Sequence, residues 1–270
     1  MTFPFADLEL ARRLERTEAT GCAQFVESRR QLRPESGAEW IDVAGTWAMF
    51  DGVASPITQT FGLGMFEPVT PENLDRIERF FVERGAPVWH EVSPLTDPTA
   101  YPLLAARGYR AIEVSNVLYR PIDHQTVIRG TAPDVSVRQT TPDEWQLWAE
   151  TSTRGWSEFV ELAPLMADFS EIGARRDGAL TYLAERNGQP IGAGALTVAG
   201  GVALLAGAST VPEHRRHGAQ LALLSTRLAH GVRLGCDIAM IATAPGSASQ
   251  RNAERHGFRV AYTRTKWQLT

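Results

Sequence analysis

The sequence contains few cysteines, and neither has the spacing of a metal-binding motif. Cys22 and Cys236 lie near opposite ends of the chain. No Cys-x-x-Cys pair and no Cys/His cluster is present, so the sequence gives no support for a structural zinc site. Two reduced, buried thiols are favoured over a disulfide as the interpretation of this pair.

The sequence also lacks long apolar runs and a strong excess of charge of one sign. No apolar stretch reaches the roughly 18 residues that cross a bilayer. The first residues lack the basic region and apolar run of a signal peptide. A formal net charge of −4 provides no basic field for nucleic acid or anionic membranes. We therefore expect a cytoplasmic globular protein with no nucleic-acid or membrane partner, and a hydrophobic content of 43% suffices for one or two cores.

Hydrophobic periodicity and turn signals predict a mixed α+β chain. Asp51-Gly52 and Asn187-Gly188 are typical of hairpin turns, and Thr141 to Glu144 fits a capping box. The predicted helices cover 5–33, 71–84, 97–107, 168–177 (helical or irregular), 218–234 and 247–256, and a further helix after Glu144 contains Trp145 and Trp148. The predicted strands cover 40–50, 57–66, 88–92, 109–119, 135–138, 180–186, 190–198, 202–210, 238–243 and 258–269.

The two halves of the sequence resemble each other. Residues 105–110 read Ala-Ala-Arg-Gly-Tyr-Arg and residues 254–259 read Glu-Arg-His-Gly-Phe-Arg, and each stretch ends a predicted helix and opens a strand. The predicted elements before them follow the same order. A duplicated fold is the favoured interpretation, because internal repeats determine the architecture. The polar segment 121–133, with two prolines, is predicted to be a linker.

The stretch from Ala208 to Gln220 carries the chemistry, because a predicted strand runs through a short loop into a long helix. The first N–H groups of a helix have no internal partner, and the helix dipole adds positive potential there. This arrangement is suited to a phosphate or pyrophosphate. Gly218 has no Cβ to obstruct the ligand, and Arg215 and Arg216 add positive charge. The alternative is a solvated basic patch at a helix start.

Here the sequence resembles the GNAT N-acetyltransferases. Their acetyl-CoA motif, Gln/Arg-x-x-Gly-x-Gly/Ala, matches Arg215–Gln220, although Gln220 replaces the final small residue. Their second landmark, a helix ending in Gly-Phe before the last strand, matches Gly257-Phe258. The resemblance implies an α+β fold of two GNAT-like units, each with a mixed, mostly antiparallel sheet flanked by helices. The expected division is a degenerate domain at 1–121, a linker at 122–133 and an acetyl-CoA-binding domain at 134–270.

The resemblance also implies the roles of the cosubstrate-binding residues. Backbone groups of the strand before the loop would contact the pantetheine arm, and amides of the loop would bind the pyrophosphate. The residues expected to bind acetyl-CoA are Ala208, Ser209, Thr210, Arg215, Arg216, His217, Gly218, Ala219 and Gln220.

The usual acid and base of the family are missing from their expected positions. The tyrosine that often serves as acid is replaced by Ala253, and the strand 202–210 contains no glutamate. Tyr262 and Ser249 are the substitute acids proposed from the sequence, and the alternative for Tyr262 is a core hydroxyl. Weak candidates for the base are Glu161 and Glu185. His256 is better explained as a helix-end residue.

These features predict an enzyme that moves an acetyl group from acetyl-CoA to an amine of a small molecule or peptide. The alternative is a non-catalytic CoA-binding or ligand-sensing module. The missing P-loop and Gly-x-Gly-x-x-Gly motifs disfavour a nucleotide-binding protein of another fold. In the first half, Glu67 and Glu72 would repel a pyrophosphate, which is why we expect that half to be degenerate. An aromatic group is expected either in the core or at the acceptor pocket: Trp145, Trp148, Trp156 and Phe159.

Overall fold

The computed structural model describes residues 2–126, 131–158, 161 and 163–270, so Phe159 lies outside the described residues. The helices are α1 (Leu8–Leu32), α2 (Pro71–Val82), α3 (Ala100–Ala106), α4 (Trp145–Arg154), α5 (Ala163–Ala174), α6 (Ala219–Arg233) and α7 (Ala248–Arg255). The strands are β1 (Glu39–Val43), β2 (Thr46–Phe50), β3 (Gln59–Phe61), β4 (Trp89–Val92), β5 (Tyr109–Pro121), β6 (Val135–Gln139), β7 (Leu180–Arg186), β8 (Gln189–Ala199), β9 (Val202–Thr210), β10 (Ile238–Thr243) and β11 (Arg259–Leu269).

The described chain divides into two compact units. The central unit spans Pro121–Ala239, and the terminal unit combines Thr2–Arg120 with Met240–Thr270. This grouping differs from the predicted domains, since the last residues cluster with the first half of the chain. The reason is strand pairing: β11 runs antiparallel to β4 and, along its length from Arg259 to Leu269, to β5. The domain boundaries drawn from the sequence repeat, 1–121 and 134–270, therefore stay a prediction.

In the terminal unit, helices cover both faces of the sheet. Its strands run in the order β1-β2-β3-β4-β11-β5. Side chains alternate along β2, because successive residues of a strand point to opposite faces. Met49 packs in a core cluster with Ala23 and Val26 of α1. Ala48 and Phe50 belong to the opposite cluster, whose other members include the buried residues of α2.

The central unit has the same layered construction. Its strands β6, β7, β8 and β9 are antiparallel neighbours in that order. Ala193 of β8 packs with Trp148 of α4, so this tryptophan belongs to the core. Gly192 and Gly194, which alternate with Ala193, lie beside α6: a Cβ added at Gly192 would lie 3.5 Å from that of Ala219. Small residues on β8 therefore allow α6 to pack close to the strand.

Residues 39–121 and 180–269 follow the same order of elements, namely three strands, a helix, a strand, a helix and a strand. Gly108 and Gly257 both have positive φ, at 87° and 82°, and both follow a helix and precede a strand. This agreement supports the predicted duplication. Two local predictions were wrong. The predicted strand 40–50 is two strands, β1 and β2, joined by a turn at Ala44-Gly45 whose positive φ values suit a tight turn. Asp51-Gly52 opens the loop that joins β2 to its antiparallel neighbour β3. The predicted strand 57–66 is limited to Gln59–Phe61, with positive-φ glycines following it.

Candidate functional site

Strand β9 is interrupted by a β-bulge. Ala193 of β8 pairs with Ser209 and Ala195 pairs with Ala206, so Gly194 alone lies opposite the two β9 residues Gly207 and Ala208. Gly207 has a φ of +59°, which explains a glycine at this point of the strand. Ala206 and Gly207 are exposed and Ala208 is half-buried, whereas the flanking residues of β9 are buried. The bulge therefore frees backbone groups of β9 from regular pairing.

Helix α6 begins without a side-chain cap. Its N-cap is Gly218, which has a φ of +85°, and no acidic residue lies in the first turn. The N–H of Ala222 donates to the carbonyl of Gly218, as expected for the first helical hydrogen bond. Ala219 and Gln220 precede that bond, so their N–H groups lack a helical acceptor. With the helix dipole, this end of α6 is suited to an anion.

The side chains of the preceding loop are only partly available to a ligand. The Arg215 guanidinium forms a 2.5 Å ion pair with Glu158, and both side chains are well exposed. Arg216 is exposed, with a φ of +65° that is uncommon for a non-glycine residue. The half-buried His217 has a buried Nδ1 with no hydrogen-bond partner in the described chain. The loop therefore offers one exposed cation at Arg216 and a second, paired one at Arg215.

Side chains from the strand, the helix and α4 hold the loop in place. The Gln220 amide donates to the Thr210 hydroxyl at 2.8 Å, so this side chain ties the helix start to the end of β9. The Ser209 hydroxyl donates to the Ser152 carbonyl at 3.0 Å. A Cβ added at Gly155 would lie 2.3 Å from the Ser209 Oγ. Ser209 and Thr210 therefore have structural side-chain contacts, and only their backbone is available for the predicted role.

Gly218 is close to the segment that leads into β6. A Cβ added to Gly218 would lie 2.9 Å from the Ala132 Cβ. The structure therefore gives two reasons for glycine here, a left-handed backbone and a close neighbour. Both are independent of the phosphate contact expected from the sequence.

Tyr262 and Ser249, the proposed acids, belong to the terminal unit. The Tyr262 hydroxyl is buried and donates to the Glu15 carboxylate at 2.8 Å. Burial raises the pKa of Tyr262 well above 10, and the negative charge of Glu15 adds to this effect. These surroundings favour a core hydroxyl over a proton donor. Ser249 is exposed in the first turn of α7. The acid role of either residue stays a prediction.

Two glutamates and one histidine are the other titratable residues that the sequence analysis considered for acid or base roles. Glu185 pairs with Arg138 at 2.9 Å, and Glu161 is exposed. His256 is the C-cap of α7, as expected for a helix-end residue. Burial lowers its pKa, with a further contribution from the nearby arginines.

The helix of the first half that corresponds to α6 starts differently. At α2, the Thr70 hydroxyl accepts from the Asn73 N–H, Pro71 has no N–H to donate, and Glu72 adds negative charge. Among the first N–H groups of α2, that of Pro71 is absent and that of Asn73 is already hydrogen-bonded. This start is poorly suited to an anion, in agreement with the sequence-based expectation.

Two features of the site were not predicted from the sequence. One is the position of the bulge, which Gly207 inside a strand pattern could have indicated. The other is Arg227, a buried residue of α6 whose guanidinium reaches the bulge. No sequence signal marks this residue, because an arginine within an amphipathic helix is usually solvated.

The geometry defines a domain in which an anion site at a helix start follows a bulged strand. Residues 142–258 match the acetyltransferase (GNAT) family. A GCN5-related N-acetyltransferase from Kribbella flavida has a TM-score of 0.61 and 16% identity, covering 92% of this chain and 95% of that chain. A tandem GNAT protein from the clavulanic acid biosynthesis pathway, solved without acetyl-CoA, has a TM-score of 0.60 and 14% identity, with coverages of 99% and 97%. No curated protein matches the sequence.

Residues 142–258 are therefore identified as a GNAT region, and the match supports an acetyl-CoA-dependent acetyltransferase in general. The structural neighbours show the same mixed α+β fold, with a sheet flanked by helices. In the described part of the chain, no helix is long and apolar enough to cross a membrane. The same residues contain no group of three potential metal ligands among His, Cys, Asp and Glu.

Proposed function

We propose that the central unit binds acetyl-CoA through the loop Arg215–Gln220 and the bulged strand β9, and transfers the acetyl group to an amine of a small molecule or peptide. One observation carries the proposal: an uncapped helix start follows, across the loop 211–218, a strand in which Gly207 and Ala208 lie outside regular pairing with β8. The helix start suits the pyrophosphate, and the backbone of Gly207 and Ala208 suits the amide-containing pantetheine arm.

The reaction requires little covalent chemistry from the protein. A neutral amine forms a bond to the acetyl carbon, the carbon–sulfur bond breaks, and the amine proton ends on the departing sulfur. Positioning of the two reactants can supply a large part of the rate enhancement. This fits the site, because the described residues 206–210 carry no carboxylate, imidazole or phenol. The acid roles of Tyr262 and Ser249 stay predictions from the sequence, and the surroundings of Tyr262 favour a core hydroxyl.

The same observation also fits a second function, that of a CoA-binding or ligand-sensing module without catalysis. This alternative shares the binding site and differs only in turnover. A screen of amines with acetyl-CoA and a thiol-reactive reporter separates the two functions, because only the enzyme releases free CoA at a rate that depends on the amine. Binding without amine-dependent release would favour the module.

We further propose that the first half is a degenerate copy that does not bind acetyl-CoA. The capped, proline-initiated and acidic start of α2 supports this proposal. The protein should accordingly bind one acetyl-CoA per chain in calorimetry, and a stoichiometry of two would contradict it.

Gln220→Glu tests the binding site more cleanly than a change at Gly218, where any side chain would also meet Ala132. The new carboxylate is nearly isosteric and can accept a hydrogen bond from Thr210. It should stabilise the helix start by about 0.3–1 kcal/mol but repel a pyrophosphate, weakening acetyl-CoA binding about tenfold or more. Stability and affinity should therefore change in opposite directions.

Ala229→Glu is the matched control, because it adds the same charge at an exposed position of the same helix. Calorimetry should give the parent affinity for this variant. Unchanged affinity in Gln220→Glu, with tight binding by the parent protein, would refute the location of the site. No binding of acetyl-CoA by the parent would refute the proposed function itself.

A further inference from the structure

We infer that Arg227 is a positioning residue, whose buried guanidinium holds the β9 bulge in the shape that receives the pantetheine arm. This inference rests on the proposed function of the central unit. Arg227 lies on α6, downstream of the loop, and is only 3% exposed. It has no place in the family motif and was not expected from the sequence to contribute to the site.

The guanidinium contacts both strands at the bulge. Its Nη1 donates to the carbonyl of Ala195 at 2.9 Å and to the carbonyl of Ala206 at 3.2 Å. These two residues form the last regular pair before the bulge. Its Nε donates to the Leu223 carbonyl at 3.1 Å within the same helix, which fixes the orientation of the guanidinium plane.

Gly194 provides the space for this arrangement. It is the β8 residue opposite the bulge, and a Cβ added there would lie 3.2–3.4 Å from Cζ, Nη1 and Nε of Arg227. The Gly194 carbonyl accepts from the Trp148 indole at 3.2 Å. Gly194 thus packs against Arg227 and accepts a hydrogen bond from Trp148.

The positive charge of Arg227 has no carboxylate partner among the described residues. The carbonyls of Ala195, Ala206 and Leu223 are its hydrogen-bond acceptors. Burial lowers the pKa of Arg227 to about 10, so the guanidinium is still charged at neutral pH. A buried charge held by backbone carbonyls is costly unless those carbonyls are fixed in place. The position of the Arg227 guanidinium and the shape of the bulge therefore depend on each other.

Removal of the guanidinium should therefore relax the bulge and leave the pyrophosphate loop intact. Arg227 donates to strand carbonyls and to Leu223, whereas the loop is held by Gln220, Thr210 and the start of α6. Two ligands can test the loop and the bulge separately. 3′-Phospho-ADP carries the pyrophosphate without the pantetheine arm, whereas acetyl-CoA carries both.

The test measures the affinities of both ligands by calorimetry in the full-length parent and in Arg227→Met. We expect acetyl-CoA to bind about tenfold more weakly in the variant, with 3′-phospho-ADP binding unchanged. Amide hydrogen exchange at 206–208 in the ligand-free variant should become faster than in the parent. Arg227→Lys, which keeps one charged donor group, should fall between the two proteins. Arg233→Met makes the same chemical change at an exposed position of α6 and should match the parent.

If Arg227→Met folds poorly, Gly194→Ala tests the same inference independently. Its methyl group displaces the Arg227 guanidinium while the charge is retained. It should also weaken acetyl-CoA more than 3′-phospho-ADP. Equal loss of both ligands in the folded variants, or parent affinity for acetyl-CoA, would overturn the inference. If the parent binds neither ligand, the proposed function fails instead.

Discussion

Glu15 is a buried carboxyl group whose protonation should control the stability of the terminal unit. Its oxygens lie 3.4 Å from Arg264, which also forms ion pairs with Glu18 at 2.8 Å and Glu91 at 3.1 Å. The Tyr262 hydroxyl donates to Glu15. Burial raises the pKa of Glu15 from 4.5 to about 7, although Arg264 opposes the shift.

The charges around Glu15 explain this direction. Glu91 also contacts Lys266 at 3.5 Å, and Lys266 pairs with the exposed Glu113 at 3.4 Å, so Glu15, Glu18, Glu91 and Glu113 share two cations. Protonation of one buried carboxyl group reduces this excess of negative charge. Glu15 is buried, and among the described residues it accepts hydrogen bonds from Tyr262 and, at longer distance, from Arg264. It is therefore the group that best tolerates the proton.

The sign of the pH effect follows from the raised pKa. The folded protein binds this proton more tightly than the unfolded chain does. The stabilisation is therefore fully present below about pH 4.5 and is lost as the pH rises through about 7. The shift corresponds to a loss of about 3 kcal/mol in the free energy of unfolding.

Glu15→Gln mimics the protonated carboxyl group and removes the titration. The parent and the variant should be unfolded with urea at several pH values between 4.5 and 8.5, by circular dichroism. The variant should gain stability relative to the parent as the pH rises, by up to about 3 kcal/mol. Glu83→Gln, an exposed change in the same unit, should show no such trend. A pH-independent difference between Glu15→Gln and the parent would refute the reasoning.

Two further predictions concern packing and the proposed acid. Gly155→Ala should destabilise the central unit by about 1–3 kcal/mol, because the new Cβ would meet Ser209, and adding Ser209→Gly should restore much of the loss in thermal or urea unfolding; a double variant no more stable than the single one would contradict this contact. Tyr262→Phe should cost about 1–3 kcal/mol in unfolding free energy, because the buried Glu15 loses its hydroxyl partner. Its kcat should equal that of the parent, and a loss of about tenfold would instead support the acid role.

Most helices and strands could be predicted because their signals are local. The hairpin at Asn187-Gly188, the strand β9 and the capping box at Thr141 were predicted correctly from period and turn chemistry. The turn at Ala44-Gly45, which divides the predicted strand 40–50 into β1 and β2, was missed because Ala44 adopts a left-handed conformation that its residue type disfavours. The Asp51-Gly52 signal does mark the start of the loop between the antiparallel strands β2 and β3.

The partners of buried polar groups could not be predicted, because they come from distant parts of the chain. The Tyr262 hydroxyl reaches a carboxylate of α1, and Arg227 reaches two carbonyls on different strands. Sequence periodicity identifies which face of an element is buried, but it does not identify the neighbour across the core. The pairing of β11 with β4 and β5 escaped prediction for the same reason.

The two corresponding helix starts differ in how well they suit an anion. α2 begins with a hydroxyl cap, a proline and an acidic residue, which together satisfy or remove its first donors. α6 begins with a glycine that has no side chain to cap it. The start of α2 is therefore the more stable of the two, and its hydroxyl cap alone contributes about 1 kcal/mol. Gly218 suits its left-handed backbone and its close neighbour Ala132, but the N–H groups that it leaves uncapped are a local cost. Such a cost is expected where a ligand supplies the missing acceptors.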